Sequence, residues 1–165
     1  MSPLARKFPG GSTSATILLA LLLAFASPLA AQKTDLTVTG GTITFPAPTA
    51  ADYIAGFVNS AAGATFTVDA TSGTSRTTTV SIRSTSANLG GGKVIGDLRW
   101  RRSDLATWNS ITLTDAQVEQ RIVVRNGSND PWSNTIFFRM ILNWTTDAPG
   151  TYSANYQITL SQTVP

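Results

Sequence analysis

Residues 32–165 predict an all-β fold, an antiparallel two-sheet sandwich of immunoglobulin-like or jelly-roll-like kind. Three observations carry that expectation. Apolar and polar residues alternate with a period of two in one stretch after another, the pattern of strands with one face in a core. Turns rich in glycine, proline, asparagine and aspartate separate these stretches at short intervals, giving about eight or nine strands. No amphipathic helix of normal length is visible, whereas threonine and serine, which suit pleated and polar sheet faces, are abundant. A closed barrel satisfies the same pattern, and the strand order is open.

The segment 1–31 reads as an export signal peptide. Arg6 and Lys7 give it a positive start, residues 17–25 (ILLALLLAF) an apolar core, and residues 27–31 (SPLAA) a small-residue approach to cleavage after Ala31. The apolar run is shorter than the ~20 residues a spanning helix needs, and no later stretch is longer, so no membrane span is expected once the signal is removed. Residues 32–165 then make one domain, large enough to bury a core without covalent staples. The chain has twelve Lys and Arg against nine Asp and Glu, and loss of Arg6 and Lys7 leaves an excess of one positive charge. That balance argues against a surface dedicated to nucleic acid. Cysteine is absent, which excludes a disulfide framework and thiolate chemistry and suits a bacterial exported protein. Periplasm, cell surface and medium all remain open as destinations. Asn126 and Asn143 each head a glycosylation triplet, which matters only in a host with that machinery.

The elements follow in order. Leu36 and Val38 mark a short strand, Gly40-Gly41 a turn or bulge, and residues 42–45 (TITF) a second strand that Pro46 and Pro48 end. Residues 50–63 hold either a short strand around 53–58 or a loop that tucks its aromatics inward. In 64–70, Phe66 and Val68 alternate with Thr65, Thr67 and Asp69. Residues 77–84 repeat the pattern through Val80 and Ile82, across a hairpin-like TSGTS connection. Residues 84–93 (STSANLGGGK) read as a loop. In 94–102, Leu98 and Trp100 share one face and Arg99 and Arg101 the other. Residues 109–114 form a short strand through Ile111 and Leu113, and TDAQ a turn. In 118–125, Val118, Gln120, Ile122 and Val124 alternate with Glu119, Arg121, Val123 and Arg125. After the polar loop 126–134, Ile136, Phe138, Met140, Leu142 and Trp144 share a face opposite Phe137, Arg139, Ile141 and Asn143. Both rows are partly apolar, as in a central strand or an assembled interface. Beyond the turn 146–150, Tyr152, Ala154, Tyr156, Ile158 and Leu160 point inward, and Ser153, Asn155, Gln157 and Thr159 face solvent.

This ending, with Asp147, Pro149, Gly150, Thr151 and Tyr152 leading into the alternating strand to Leu160, resembles bacterial secreted immunoglobulin-like and fimbrial-subunit β-sandwich domains. Many of these close on such a turn, a GTY-like start and a final strand. The likeness covers roughly the last twenty residues. It implies an envelope or appendage role in which subunits join by strand addition. Residues 35–45 would then be the donor strand, through Leu36, Val38, Ile43 and Phe45, the alternative being that the segment stays in its own sheet. The disulfide that some of these subunits carry is absent here.

Reactive side chains are scarce. Without histidine or cysteine, neither a Ser-His-Asp nor a Cys-His arrangement can be built, nor a zinc site based on those ligands. Lys33 and Lys93 are the only lysines after the signal, and neither sits in a nucleophile motif. Asp52, Asp97, Asp104, Asp115, Asp130 and Asp147 lie in or beside turns, where capping and Asx-turns are their ordinary uses, and no two carboxylates pair by pattern. Asn126, Asn129, Asp130 and Asn134 cluster without matching the helix–loop–helix calcium loop. No catalytic residue, cofactor or metal ligand is assigned, and no enzymatic activity is expected.

What remains is recognition. Trp100 and Trp144 fall on inward rows. Trp108 lies where a loop turns into a strand, and Trp132 follows Pro131 in the polar loop beside Asn129 and Asp130. The inward pair suits core packing, whereas a ring in such a loop stacks on a sugar, docks a partner or folds back over the edge of the core. Arg99 and Arg101 face outward together, and Arg121 and Arg125 share a face of their own strand. Were those strands neighbours, they would form a positive stripe drawn to an acidic polysaccharide or envelope phosphate. Two classes of function follow. One is an exported, non-catalytic bacterial surface or extracellular structural protein, a pilus- or filament-type subunit that self-associates or docks an envelope protein by strand addition. The other is a secreted carbohydrate-binding module using Trp108 and Trp132.

Overall fold

Alternating stretches become strands, and every strand pair among the described residues is antiparallel. The computed structural model describes residues 33–40, 42–71, 75–123, 131–147 and 150–164, within a compact unit spanning Ala31–Pro165. The signal-peptide reading falls outside the described residues, as do Asn129, Asp130 and Arg125.

The larger sheet runs β1 (Lys33–Thr39), β4 (Ala64–Thr71), β11 (Trp132–Ile141), β8 (Leu98–Arg102), β9 (Asn109–Ser110), and β3 (Phe57–Asn59) pairs with β11 beyond the end of β4. The smaller sheet is β10 (Ala116–Val123), β5 (Arg76–Ser84), β13 (Tyr156–Thr163). Two short pairs complete the set: β2 (Ile43–Thr44) with β12 (Ser153–Ala154), and β6 (Asn88–Gly90) with β7 (Lys93–Val94).

Both sheets feed one core. Phe66, Val68, Leu98, Trp100, Ile136, Phe138 and Met140 come from the larger sheet, Val80, Ile82 and Val118 from the smaller, and Ile43, Phe45, Tyr152 and Ala154 cluster with them. Two inner faces sharing one apolar cluster make a sandwich, the arrangement predicted from the alternation. β11 is central, with β8 along one edge and β4 and then β3 along the other. This explains why its outer row is also partly apolar.

Several local expectations are corrected. Residues 50–63 are neither one strand nor a loop. Ala50–Ala55 forms a short helix, α1, closed at its start by a Thr49–Asp52 capping box and at its end by Gly56 at φ 77°. β3 follows directly. The connection after β4 is not a hairpin, because β4 and β5 lie in different sheets. The glycine-rich stretch is itself the turn of the β6–β7 hairpin, with Gly90, Gly91 and Gly92 all at positive φ. β11 ends at Ile141, so Trp144 leaves the inward row. It lies in a turn, 60% exposed, stacked on Tyr53 at 4.5 Å. The last strand is two: Tyr152 and Ala154 are buried beside β2, then the chain passes at Asn155 into β13, where Tyr156, Ile158 and Leu160 are half-buried. Leu113 lies beyond β9 and is exposed.

Candidate functional site

Period two decides which side chains share the outer face of the larger sheet. In β8, Leu98 and Trp100 go to the core, so Arg99 and Arg101 face outward. In β11, Ile136, Phe138 and Met140 are buried, so Phe137, Arg139 and Ile141 face outward. Phe57 and Asn59 flank buried Val58 in β3. Register then sets Phe137 opposite Arg101, and Arg139 between Arg99 on one neighbouring strand and Asn59 on the other. Trp108 stands one residue before β9, just past the Trp100–Asn109 pair and so alongside Arg101.

These side chains interleave. The guanidinium carbon of Arg139 is 3.6 Å from the Phe57 ring centroid and 4.2 Å from that of Trp108. That of Arg101 is 5.1 Å from Trp108 and 5.3 Å from Phe137. The row Phe57, Arg139, Trp108, Arg101, Phe137 thus alternates ring and cation. A guanidinium against a ring gains cation–π attraction while its N–H groups stay in its own plane, free to donate past the ring edge.

Few of those donors are used internally. Arg139 Nε donates to Asn59 Oδ1 at 3.0 Å, Arg101 Nη1 to the Leu105 carbonyl at 2.8 Å, and Arg99 Nη1 to Ser110 Oγ. Among the described residues, none of these arginines forms an ion pair with a carboxylate. Burial, and then the charge of Arg101, pull Arg139 below the ordinary arginine range. Arginine starts so high that it stays cationic at neutral pH. Along the row opens a cleft of about 440 Å³, lined by Arg101, Trp108, Phe137 and Arg139 with Asn59 and Ser60. Ser60 Oγ is shielded from solvent and has no hydrogen-bond partner.

Of the residues singled out from sequence, Arg99, Arg101 and Trp108 come together here. Trp132 does not join them. It is the first residue of β11, opposite Val68, half-buried edge-on against Phe66 at 5.8 Å, with Arg121 4.6 Å from its ring centroid. Arg121 does not extend the stripe, because β8 and β10 belong to different sheets. It bonds buried Glu119 at 2.7 Å, and Glu119 also faces Arg102 at 3.6 Å. Arg139 completes the cationic group instead. Leu36 and Val38 lie in β1, which pairs with β4 along its whole length, while Ile43 and Phe45 are buried in the chain's own core. Sequence reasoning missed Phe57, Asn59, Ser60 and Phe137 as site residues and counted Arg139 only among the later arginines, outside the stripe. The available signal was the mixed outer row of β11, where Arg139 stands between Phe137 and Ile141.

Among the described residues no helix is long and apolar enough to cross a membrane, and no three His, Cys, Asp or Glu side chains are grouped to hold a metal ion. The fold and cleft define an all-β sandwich with a cationic, aromatic-lined recess on one sheet face. Comparison with family models, curated proteins and solved structures gives no match to this chain.

Proposed function

We propose that residues 32–165 form an exported, non-catalytic bacterial surface or extracellular domain that acts by binding, with its ligand seated in the cleft beside Trp108. One observation carries this reading. Arg101 and Arg139 are held by aromatic rings at a cleft of about 440 Å³ with no described carboxylate to neutralise them. Like charges opposed across strands are unfavourable, and Arg99 directly opposite Arg139 adds to that cost. A ligand bearing negative charge offsets it. The test is a titration of the signal-free protein with glycans, polyanions and envelope components, followed by tryptophan fluorescence. Saturable binding that Arg101→Ala weakens, with the far-ultraviolet circular dichroism unchanged, supports the reading. Silence across the whole panel overturns it.

A second reading, strand addition in a surface filament, is favoured by the edges of the sandwich. β1 is an edge strand, exposed at every position but half-buried Leu36. A groove of about 340 Å³ runs past Val38 and Gly40 on its side and Tyr156 and Ile158 of edge strand β13. Deleting residues 32–45 and measuring solution mass across a concentration series separates the outcomes. A folded monomer that no longer assembles supports donation, whereas an unfolded chain shows that β1 and β2 serve their own domain.

A further inference from the structure

We infer that the cleft takes a carboxylated saccharide, a uronic-acid unit of an acidic polysaccharide, with Arg101 and Arg139 holding the carboxylate and Asn59 and Ser60 meeting ring hydroxyls. This rests on the recognition reading above and names its ligand. The Trp108 ring is already engaged by both guanidiniums, at 4.2 and 5.1 Å, so it positions cations rather than serving as a platform for a neutral sugar. Recognition then falls to the N–H groups of Arg101 and Arg139. A guanidinium fork matches the two oxygens of a carboxylate, and such charge-assisted bonds are the stronger kind.

The neutral groups beside them extend the match beyond a bare anion. Asn59 Oδ1 accepts from Arg139 Nε, which leaves the Asn59 amide N–H groups to donate. Ser60 lines the same cleft; its Oγ is turned away from solvent and lacks a partner, so it meets a ligand hydroxyl only by rotating about χ1, which also relieves the unpaired state. A sugar carrying a carboxylate and hydroxyls on one ring supplies both kinds of partner. The cleft volume of about 440 Å³ lies within the range of roughly 300–1,000 Å³ usual for small-ligand sites.

Isothermal titration of the signal-free domain tests this with three probes: oligosaccharides of glucuronate, galacturonate and mannuronate, the matching neutral oligosaccharides, and inorganic phosphate. One of the uronates is expected to bind at least about tenfold more tightly than its neutral counterpart, and to weaken as salt is raised. Arg101→Gln and Arg139→Gln should each cost about tenfold or more in affinity, and Ser60→Ala less. Arg139→Lys, which keeps the charge and loses the fork, should fall between. Arg121→Gln, in the other sheet, should leave affinity unchanged, and thermal unfolding of every variant controls for folding. Neutral sugars binding as tightly as uronates overturn the ligand class and leave the recognition reading standing, whereas arginine variants that bind like the parent overturn both. Phosphate competing as strongly as the uronates reduces the cleft to a bare anion site and overturns the saccharide assignment. If all three probes are silent the ligand class fails, and the recognition reading fails with it only if the wider panel is silent too.

Discussion

The guanidinium of Arg139 sits over the ring of Trp108, 4.2 Å from its centroid, although β8 separates β11 from β9, the strand that Trp108 precedes by one residue. Trp108 also meets Arg101 at 5.1 Å, so one loop ring contacts two like charges. Removing it forfeits both contacts at once. With cation–π contacts contributing about 0.5–2 kcal/mol each, Trp108→Ala is expected to lower stability by about 1–4 kcal/mol, and Trp108→Phe by less. Urea unfolding of the two variants checks this. An unchanged midpoint for Trp108→Ala would show that the ring does not hold the arginines.

Lys93 and Asp147 form a second relationship, away from the cleft. Their side chains are 2% and 3% exposed and 2.5 Å apart. Lys93 Nζ also donates to the Ile141 carbonyl at 2.7 Å, and Asp147 Oδ2 accepts from the Asn143 N–H at 2.6 Å. The pair therefore fastens β7 to the end of β11 and the turn beyond it. Lys93→Met strands a buried carboxylate and is expected to cost about 3–5 kcal/mol. Adding Asp147→Asn removes that charge and keeps an acceptor for Asn143, so the double variant should recover part of the loss. Chemical denaturation of the parent, both single variants and the double variant gives the coupling; simple additivity would contradict the pairing.

Acid should reach the fold through carboxylates whose pKa the native state depresses. Hydrogen bonding from Arg102, with a further bond from Asn134, holds Asp104 down to about 2. Burial would raise Asp147, but Lys93 and the Asn143 N–H more than offset it and leave it lowered. An unfolded aspartate titrates near ~3.9, so on acidification the unfolded chain takes up protons first. The stabilisation is complete above that value and is lost as pH falls from about 4 towards 2. Calorimetry should show a melting temperature that drops in this window for the parent and less steeply for Asp104→Asn. Parallel slopes would rule out Asp104 as a source.

Period two made most of the sandwich legible, because burial on one face forces alternation in long strands such as β4, β5 and β11. Short elements left no such trace. α1 spans six residues, too few for helical periodicity to show, and its sequence signature was the Thr49–Asp52 spacing before Gly56. Alternation from Tyr152 to Leu160 also continues unbroken across a change of sheet at Asn155. The candidate site was legible to the same extent. Arg99, Arg101 and Trp108 stand out on an outward row and at a loop–strand junction. Arg139 and Phe57 join them only through the register of β11 with β8 and β3, which alternation within a single strand does not encode.

A bulge in β10 shows how one residue overrides alternation. Its register with β5 shifts between Gln117 and Glu119, and Val118 and Glu119 are both buried. Strict alternation sets Ile122 beside Val118 on the inward face, yet Ile122 is 70% exposed while Val118 is 6% exposed. Ile122→Thr therefore removes apolar surface that already faces water, and is expected to change stability by no more than about 0.5 kcal/mol. Val118→Ala opens space in the core and should cost about 2 kcal/mol. Denaturant midpoints of the two variants make the comparison. Equal losses would mean that Ile122 is packed as alternation alone predicts, and that the bulge does not set the faces of this strand.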